Sequence, residues 1–158
     1  MNSTDDGALE SLLFNLVYCS HAKANFTTSE IDQLLSVARR NNASHHITGW
    51  LVYSSGIFFQ WLEGSRGDVK RLMAVIAADP RHDSIVVLSE AEEVRERLFS
   101  EWDMELVSPE DIREVLFDAI GASKEPNNVG ALQVLVNQLD AHSAASAKRP
   151  VKHRVDEY

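Results

Sequence analysis

The run Ile47–Tyr53, the turn Ser54-Ser55-Gly56 and the run Ile57–Leu62 restrict the folds open to this chain more than any other stretch. Both runs are apolar, β-branched and aromatic, and a glycine-containing turn separates them, so they read as a β-hairpin. Alternation places Gln60 on one face with Phe58 and Leu62, while Trp50, Val52, Phe59 and Trp61 share the other. Both faces are apolar, so each needs cover. Gln60 is a primary amide in a strand that should be buried, and it has two donors and an acceptor to satisfy. Leaving such groups unpaired costs about 1–3 kcal/mol. Some polar group must therefore meet Gln60.

The rest of the chain places elements around this hairpin. Phe14–Ser20 alternates as a strand, with Tyr18 and Ser20 on one face and Cys19 on the other. Thr27-Thr-Ser-Glu30 is a capping box, and Ile31, Leu34, Leu35 and Ala38 follow at helical spacing. That stripe continues to Asn41 and Asn42, so two amides end a buried helical face where the hairpin begins. Ser65 can cap a second helix with the stripe Val69, Leu72, Met73 and Ile76, and Asp79-Pro80 stops it. Ser84–Leu88 reads as a strand, and the charged stretch Glu90–Ser100 has no assigned form. Trp102–Val107 alternates, which puts Trp102, Met104 and Leu106 on one expected face. Ser108-Pro109-Glu110-Asp111 opens a helix with Ile112, Val115, Leu116 and Ala119 as its stripe. After a break at Gly121–Asn128, Leu132, Leu135, Val136 and Leu139 mark another. Residues 142–158 read as a loose tail.

The order β, α, β, β, α, β, β is the split-βαβ arrangement of ferredoxin-like α+β folds with one strand added. Two helices are expected on one sheet face, with the C-terminal helices covering the other. A chain of 158 residues is long enough for one well-buried domain with extensions. No apolar run approaches the roughly 18 residues of a membrane span, and the acidic N-terminus lacks a signal pattern. The single Cys19 excludes an internal disulfide framework and fits a reducing cytoplasm. A net charge of −9 argues against nucleic acid as the main partner. The one basic cluster, Lys148-Arg149 with Lys152-His153-Arg154, lies in the expected tail. His45 and His46 are adjacent, so on a strand they would face opposite ways, and no metal site is expected.

In combination, several segments resemble the BLUF domains, blue-light sensors that use FAD. These are Leu16-Val-Tyr18-Cys-Ser20, Ala38-Arg-Arg-Asn-Asn42, Ile47-Thr-Gly49, Phe58-Phe-Gln60-Trp-Leu-Glu-Gly64, Asp79-Pro-Arg81-His82 and Trp102-Asp-Met104. The match spans roughly residues 12–108. Each piece alone is unspecific, and their order and spacing together are specific. The resemblance implies a flavin-binding domain over 12–108, and the residues beyond it read as a helical extension over 109–141 with tails at 1–11 and 142–158. It implies a flavin held between the two helices, FAD first, with FMN or riboflavin as alternatives.

The resemblance also assigns roles. Tyr18 corresponds to the tyrosine that donates an electron to excited flavin, and Gln60 to the switching amide between tyrosine and flavin. Asn42 corresponds to the amide on the pyrimidine edge, and Ser20 to a hydroxyl near the tyrosine. Trp102 and Met104 match the last-strand pair that competes for a place beside the glutamine. Asn41, Asp79, Arg81 and His82 fall where the family contacts the ring or the ribityl-phosphate side. A phenol with a pKa about 10 stays neutral until it loses an electron, and an amide can accept and donate at once. The implied outcome is a photocycle that rewires hydrogen bonds without substrate turnover, so no enzyme is expected. Met104 would carry the change to the C-terminal helices and to a separate signalling protein.

Taken singly, the same residues have plainer readings. Tyr18 is a core tyrosine, Asn41 and Asn42 a helix C-terminus, and Trp61 and Trp102 packing residues. A flavin-dependent oxidoreductase would need a substrate space and a further proton donor, which the sequence does not reveal. A ferredoxin-like interaction module without cofactor is the other alternative. Self-association as a dimer or larger oligomer is expected, because the outer sheet face exceeds what a monomer exposes, unless the C-terminal helices cover it.

Overall fold

The computed structural model describes residues 12–23 and 26–156, with backbone alone at 43–44 and 145–156. The expected tail at 1–11 lies outside the described residues, as do the side chains of the basic cluster. The chain runs β1 (Leu13–Ala22), α1 (Thr28–Ser44), β2 (Thr48–Ser54), β3 (Ile57–Gly64), α2 (Arg66–Ala78), β4 (His82–Val94), β5 (Asp103–Leu106), α3 (Pro109–Ala122) and α4 (Pro126–Asp156). The strands form one sheet in the order β4-β1-β3-β2-β5. β3 lies antiparallel between β1 and β2, β1 lies antiparallel between β3 and β4, and β5 adds parallel to β2. This is the ferredoxin-like α+β arrangement with one extra edge strand.

The local signals act as the residue types require. Thr27 N donates to Glu30 Oε1 at 2.9 Å and Glu30 N to Thr27 Oγ1 at 3.1 Å, a reciprocal capping box at the start of α1. Asp68 N donates to Ser65 Oγ at 3.2 Å and starts α2. Asp111 N donates to Ser108 Oγ at 3.1 Å and starts α3 with Pro109 in its first turn. The hairpin turns through Ser55 and Gly56, both at positive φ (50° and 79°), the backbone that suits a two-residue connection between twisted strands.

Two cores follow from the alternation of the strands. On the inner face Leu16, Phe58, Leu62 and Met104 pack with Ile31 and Leu35 of α1 and Val69 of α2. On the outer face Val17, Trp50, Val52, Phe59 and Trp61 pack under Ile112 and Leu116 of α3 and Leu132, Leu135 and Leu139 of α4. The C-terminal helices therefore cover the second face within one chain. A buried polar contact seats the start of α4: Asn15 Nδ2 donates to Asn128 Oδ1 at 2.6 Å.

Three elements differ from the sequence reading. β4 runs to Val94, well past Leu88, through the charged stretch without an assigned form. It is an edge strand, and its acids face solvent and α2, where Glu90 meets Lys70 at 3.0 Å and Glu92 meets Arg66 at 2.7 Å. Charge on an edge strand is a usual device against edge-to-edge pairing, so polarity here does not signal a loop. Second, α4 continues to Asp156 where a tail was expected from residue 142. Ala141, Ala144, Ala145 and Ala147 are strong helix formers. His142 is part of the packed structure, with Nε2 donating to the Ser54 carbonyl at 3.0 Å and its ring against Phe59.

Third, β5 does not alternate. Met104 has φ 55° and the β2–β5 register shifts between Gly49 and Trp50. This bulge breaks the shared face expected for Trp102, Met104 and Leu106. Met104 is fully buried in the inner core, Trp102 packs into the outer core, and Leu106 is exposed. Gly49 lies at the same place on β2, with φ 151°, and a Cβ there would sit 1.8 Å from the Trp61 carbonyl oxygen.

Candidate functional site

The site is the floor of a cleft between α1 and α2. Tyr18 of β1 pairs directly with Gln60 of β3, so both side chains project from the same face at the same height. The Tyr18 hydroxyl donates to Gln60 Oε1. The amide of Gln60 then donates through Nε2 to Met104 Sδ at 3.1 Å. These contacts answer the requirement set by a primary amide in a buried strand. Its acceptor meets a strong donor, while one N–H meets only a thioether, a weak acceptor. The chain phenol, carboxamide, thioether crosses from β1 to β5.

The cleft has a volume of about 340 Å³ and is lined by Tyr18, Gln60, Met104 and Phe58 below, with Leu34, Ala38, Leu72 and Ile76 among its helical walls. Val37 and Val75 line it from opposite helices, although Val75 is 63% exposed. Apolar walls with a few polar groups describe a ligand site of ordinary size. Burial pushes the Tyr18 phenol well above its usual range, with the Asp79 charge adding to the effect. Tyr18 is therefore a neutral donor at any physiological pH.

The amides of α1 differ in placement. Asn41 is exposed and lines the cleft. Asn42 is buried, its carbonyl accepts from His45 N and Ile47 N as the helix ends, and its side-chain Nδ2 has no hydrogen-bond partner. A buried donor without a partner costs about 1–3 kcal/mol, so a polar group supplied by a ligand would relieve it. At the other end of the cleft, Asp79 accepts from Arg81 Nη2 at 2.6 Å, Arg81 Nε at 3.0 Å and Arg81 N at 2.9 Å. Those bonds hold the Asp79 carboxyl down at about 2. His82 Nδ1 lies 2.8 Å from Ser20 Oγ, and burial pushes the imidazole below its usual range, which favours the neutral ring. Ser20 thus touches the site through His82.

The structure brings Tyr18, Gln60, Met104, Asn41, Asp79, Arg81 and His82 to one cleft and ties Ser20 to it through His82, while Asn42 is buried next to Asn41 and does not line the cleft. It places Trp102 on the far side of the sheet, against Phe99. Sequence reasoning passed over Val37 and Val75, whose only signal was an apolar residue off the buried stripe of its helix. It also passed over Glu63, which is 1% exposed and accepts from Thr48 Oγ1, Trp61 Nε1, Leu98 N and Phe99 N. Burial pushes the Glu63 carboxyl up, against the downward pull of those four donors. Its signal was an acid set inside an apolar strand.

Among the described residues no group of three or more His, Cys, Asp or Glu is placed to hold a metal ion, and no helix is long and apolar enough to cross a membrane. The residues present fit a flavin. The cleft is apolar along its walls, with the Tyr18 hydroxyl, the Gln60 amide, Asn41, Asp79, Arg81 and His82 as its polar groups, and the buried Nδ2 of Asn42, next to Asn41, is without a partner.

Comparison with known proteins agrees with this geometry. The chain is 32% identical over 117 residues to the blue light- and temperature-regulated antirepressor BluF of Escherichia coli K12, an alignment covering 72% of this chain and 29% of that protein. It is 34% identical over 96 residues to the photoactivated adenylate cyclase subunit beta of Euglena longa, covering 60% of this chain and 11% of that one. The chain thus spans less than a third of either relative. Among solved structures, the dark state of BlrB, a BLUF protein, superposes with a TM-score of 0.62 at 28% identity, covering 82% of this chain and 98% of the other. The pattern of the family described as sensors of blue light using FAD matches residues 13–105. With that match and the cleft it encloses, the chain belongs to the BLUF family, flavin-binding sensors of blue light.

Proposed function

We propose that residues 12–108 bind FAD in the α1–α2 cleft and report blue light through Tyr18, Gln60 and Met104, with 109–141 as the helical extension that carries the change outward. The observation that carries this reading is the hydrogen-bonded chain from the Tyr18 hydroxyl through the Gln60 carboxamide to Met104 Sδ. A bound flavin supplies absorption of blue light and, once excited, an oxidant. Asn42 offers its unpaired Nδ2 to the polar ring edge, and Asn41, Asp79, Arg81 and His82 offer polar contacts at the cleft.

Tyr18 O–H already points at Gln60 Oε1, so a proton leaving an oxidised phenol has its acceptor in place. The Gln60 N–H on Met104 Sδ is in a weak bond, so once the Tyr18 hydroxyl has given up its proton little else holds the amide toward Met104. Such a rotation changes what Met104 packs against on β5, next to the start of α3. That is a population shift biased by one hydrogen bond of about 1 kcal/mol.

The C-terminal helices then present the altered surface to a signalling protein in trans, in the cytoplasm; because those helices cover the outer sheet face within one chain, that face no longer calls for self-association as a dimer or larger oligomer. Absorption of purified protein before and after blue illumination tests the reading. A reversible shift of the flavin band to the red is expected, and Gln60→Leu should abolish it. Light that bleaches the flavin to a stable reduced form would overturn the proposal. Release and identification of the bound chromophore separates FAD from FMN and riboflavin.

A further inference from the structure

We propose that Glu63 is a positioning residue whose carboxylate fixes the 97–102 segment on the outer side of the sheet and thereby sets Met104 against Gln60. The proposal rests on the reading of Gln60 as the light-switched amide. Glu63 does not line the cleft, because it shares the outer face with Trp61, and among the described residues no cation is paired with its carboxylate. Both oxygens are instead filled by donors. Oε1 accepts from Trp61 Nε1 at 3.0 Å and Leu98 N at 3.0 Å, and Oε2 accepts from Thr48 Oγ1 at 2.9 Å and Phe99 N at 2.7 Å. Two of these donors are backbone amides of an irregular stretch with no strand partner of its own. A buried anion with four donors is a strong anchor, because losing any of them leaves charge uncompensated.

The anchored stretch leads straight to the site. Arg97 Nη1 donates to Thr48 Oγ1 at 2.9 Å and to the Glu63 carbonyl at 3.1 Å. Phe99 is wedged edge-on between Trp50 and Trp61 and meets Trp102. Trp102 N closes on Phe99 O at 3.0 Å, and Gly49 N donates to Trp102 O at 2.9 Å. The chain must then pass from the outer core to the inner one within two residues, and it does so at the left-handed bulge of Met104. Left-handed backbone at a bulky residue persists only where the surroundings hold it. Glu63 supplies that hold from β3, the strand that also carries Gln60, so the switching amide and the thioether it contacts are referenced to one strand.

The test compares full-length wild-type protein loaded with FAD, Glu63→Gln and Arg97→Ala, by amide hydrogen exchange in the dark and by recovery after a light pulse. Glu63→Gln puts an NH2 against two donors whichever way it turns. Exchange at Leu98, Phe99 and Trp102–Met104 should quicken at least tenfold, while β1 and β3 keep their protection. The red-shifted state should still form, with its dark recovery changed threefold or more. Arg97→Ala leaves the carboxylate and its donors intact, removes a half-buried side chain, and should shift the same readouts in the same direction by less. It decides the matter if Glu63→Gln does not fold. Unchanged exchange over 98–104, or faster exchange spread evenly through the sheet, would overturn the proposal. A wild-type protein with no reversible red shift would sink the photoreceptor reading instead, and the dark exchange pattern would still decide whether Glu63 positions β5.

Discussion

Trp102 and Met104 stand two residues apart and lie on opposite faces of the sheet: Trp102 packs on Phe99 in the outer core, and Met104 Sδ accepts from Gln60 in the inner one. The left-handed backbone at Met104 and the register shift beside Gly49 produce this inversion. The stretch from Trp102 into β5 thereby touches the helical cap on one face and the cleft on the other, and small changes at Gln60 have a short route to α3.

Tyr18→Phe removes the donor to Gln60 Oε1 and leaves the ring volume in the inner core. The loss of one buried hydrogen bond should cost about 1 kcal/mol in urea unfolding. Flavin should still bind, and the light-minus-dark spectrum should lose its red-shifted component. Retention of that component would remove the phenol from the photochemistry.

Asn42→Leu should separate stability from binding. Because Asn42 Nδ2 has no partner in the flavin-free fold, replacing it with an apolar group of similar size should alter unfolding free energy by less than about 1 kcal/mol. Flavin affinity, by titration, should fall by about tenfold, the worth of one good hydrogen bond. Equal affinity would place Asn42 outside the flavin contacts.

Gly49→Ala has no room to succeed without a shift of the hairpin, because the new Cβ would meet the Trp61 carbonyl at 1.8 Å on a backbone with φ 151°. Destabilisation of about 3 kcal/mol or more is expected in denaturant, and Met104 should lose its contact with Gln60 as β2 and β5 separate. A stable Gly49→Ala protein with normal flavin spectra would refute the bulge as the device that aims Met104.

Acid should expose the Asp79–Arg81 pair. Arg81 holds the Asp79 carboxyl at about 2, below its ordinary 3.8. A folded value below the unfolded one means that the contribution is full above pH 4 and fades as pH falls through about 2. Solvent around the half-exposed Arg81 screens it to about 1 kcal/mol. Asp79→Asn should therefore lose less stability than wild type between pH 5 and pH 2, by that amount, in unfolding measured across the range. Parallel curves would remove Asp79 from the acid response.

Much of this arrangement was legible from local chemistry. Thr27 and Glu30 cap α1 whatever lies around them, since both partners are three residues apart, and Ser65 and Ser108 act likewise. The alternation of Phe58, Gln60 and Leu62 against Phe59 and Trp61 sorts the hairpin by a period of two, and the stripes of α3 and α4 supply the cover the outer face needs. Glu90 to Val94 was illegible because an exposed edge strand carries the same acids as a loop. Glu63 stood in plain view, but its donors at Leu98 and Phe99 come from a stretch with no periodicity.

The sequence alone determined which residue types had to meet: a strand amide in need of partners, a phenol on a neighbouring strand, amides ending a buried helical face, and two apolar sheet faces in need of helices. These follow from periods and caps, which act over a few residues. Only the tertiary structure decided that Met104 and not Trp102 reaches Gln60, that Asn42 keeps an unpaired donor, and that a buried Glu63 ties the strands to the chain between β4 and β5. Those outcomes depend on one bulge and on contacts between residues tens of positions apart, where the backbone's path through space, and no local preference, sets which atoms touch.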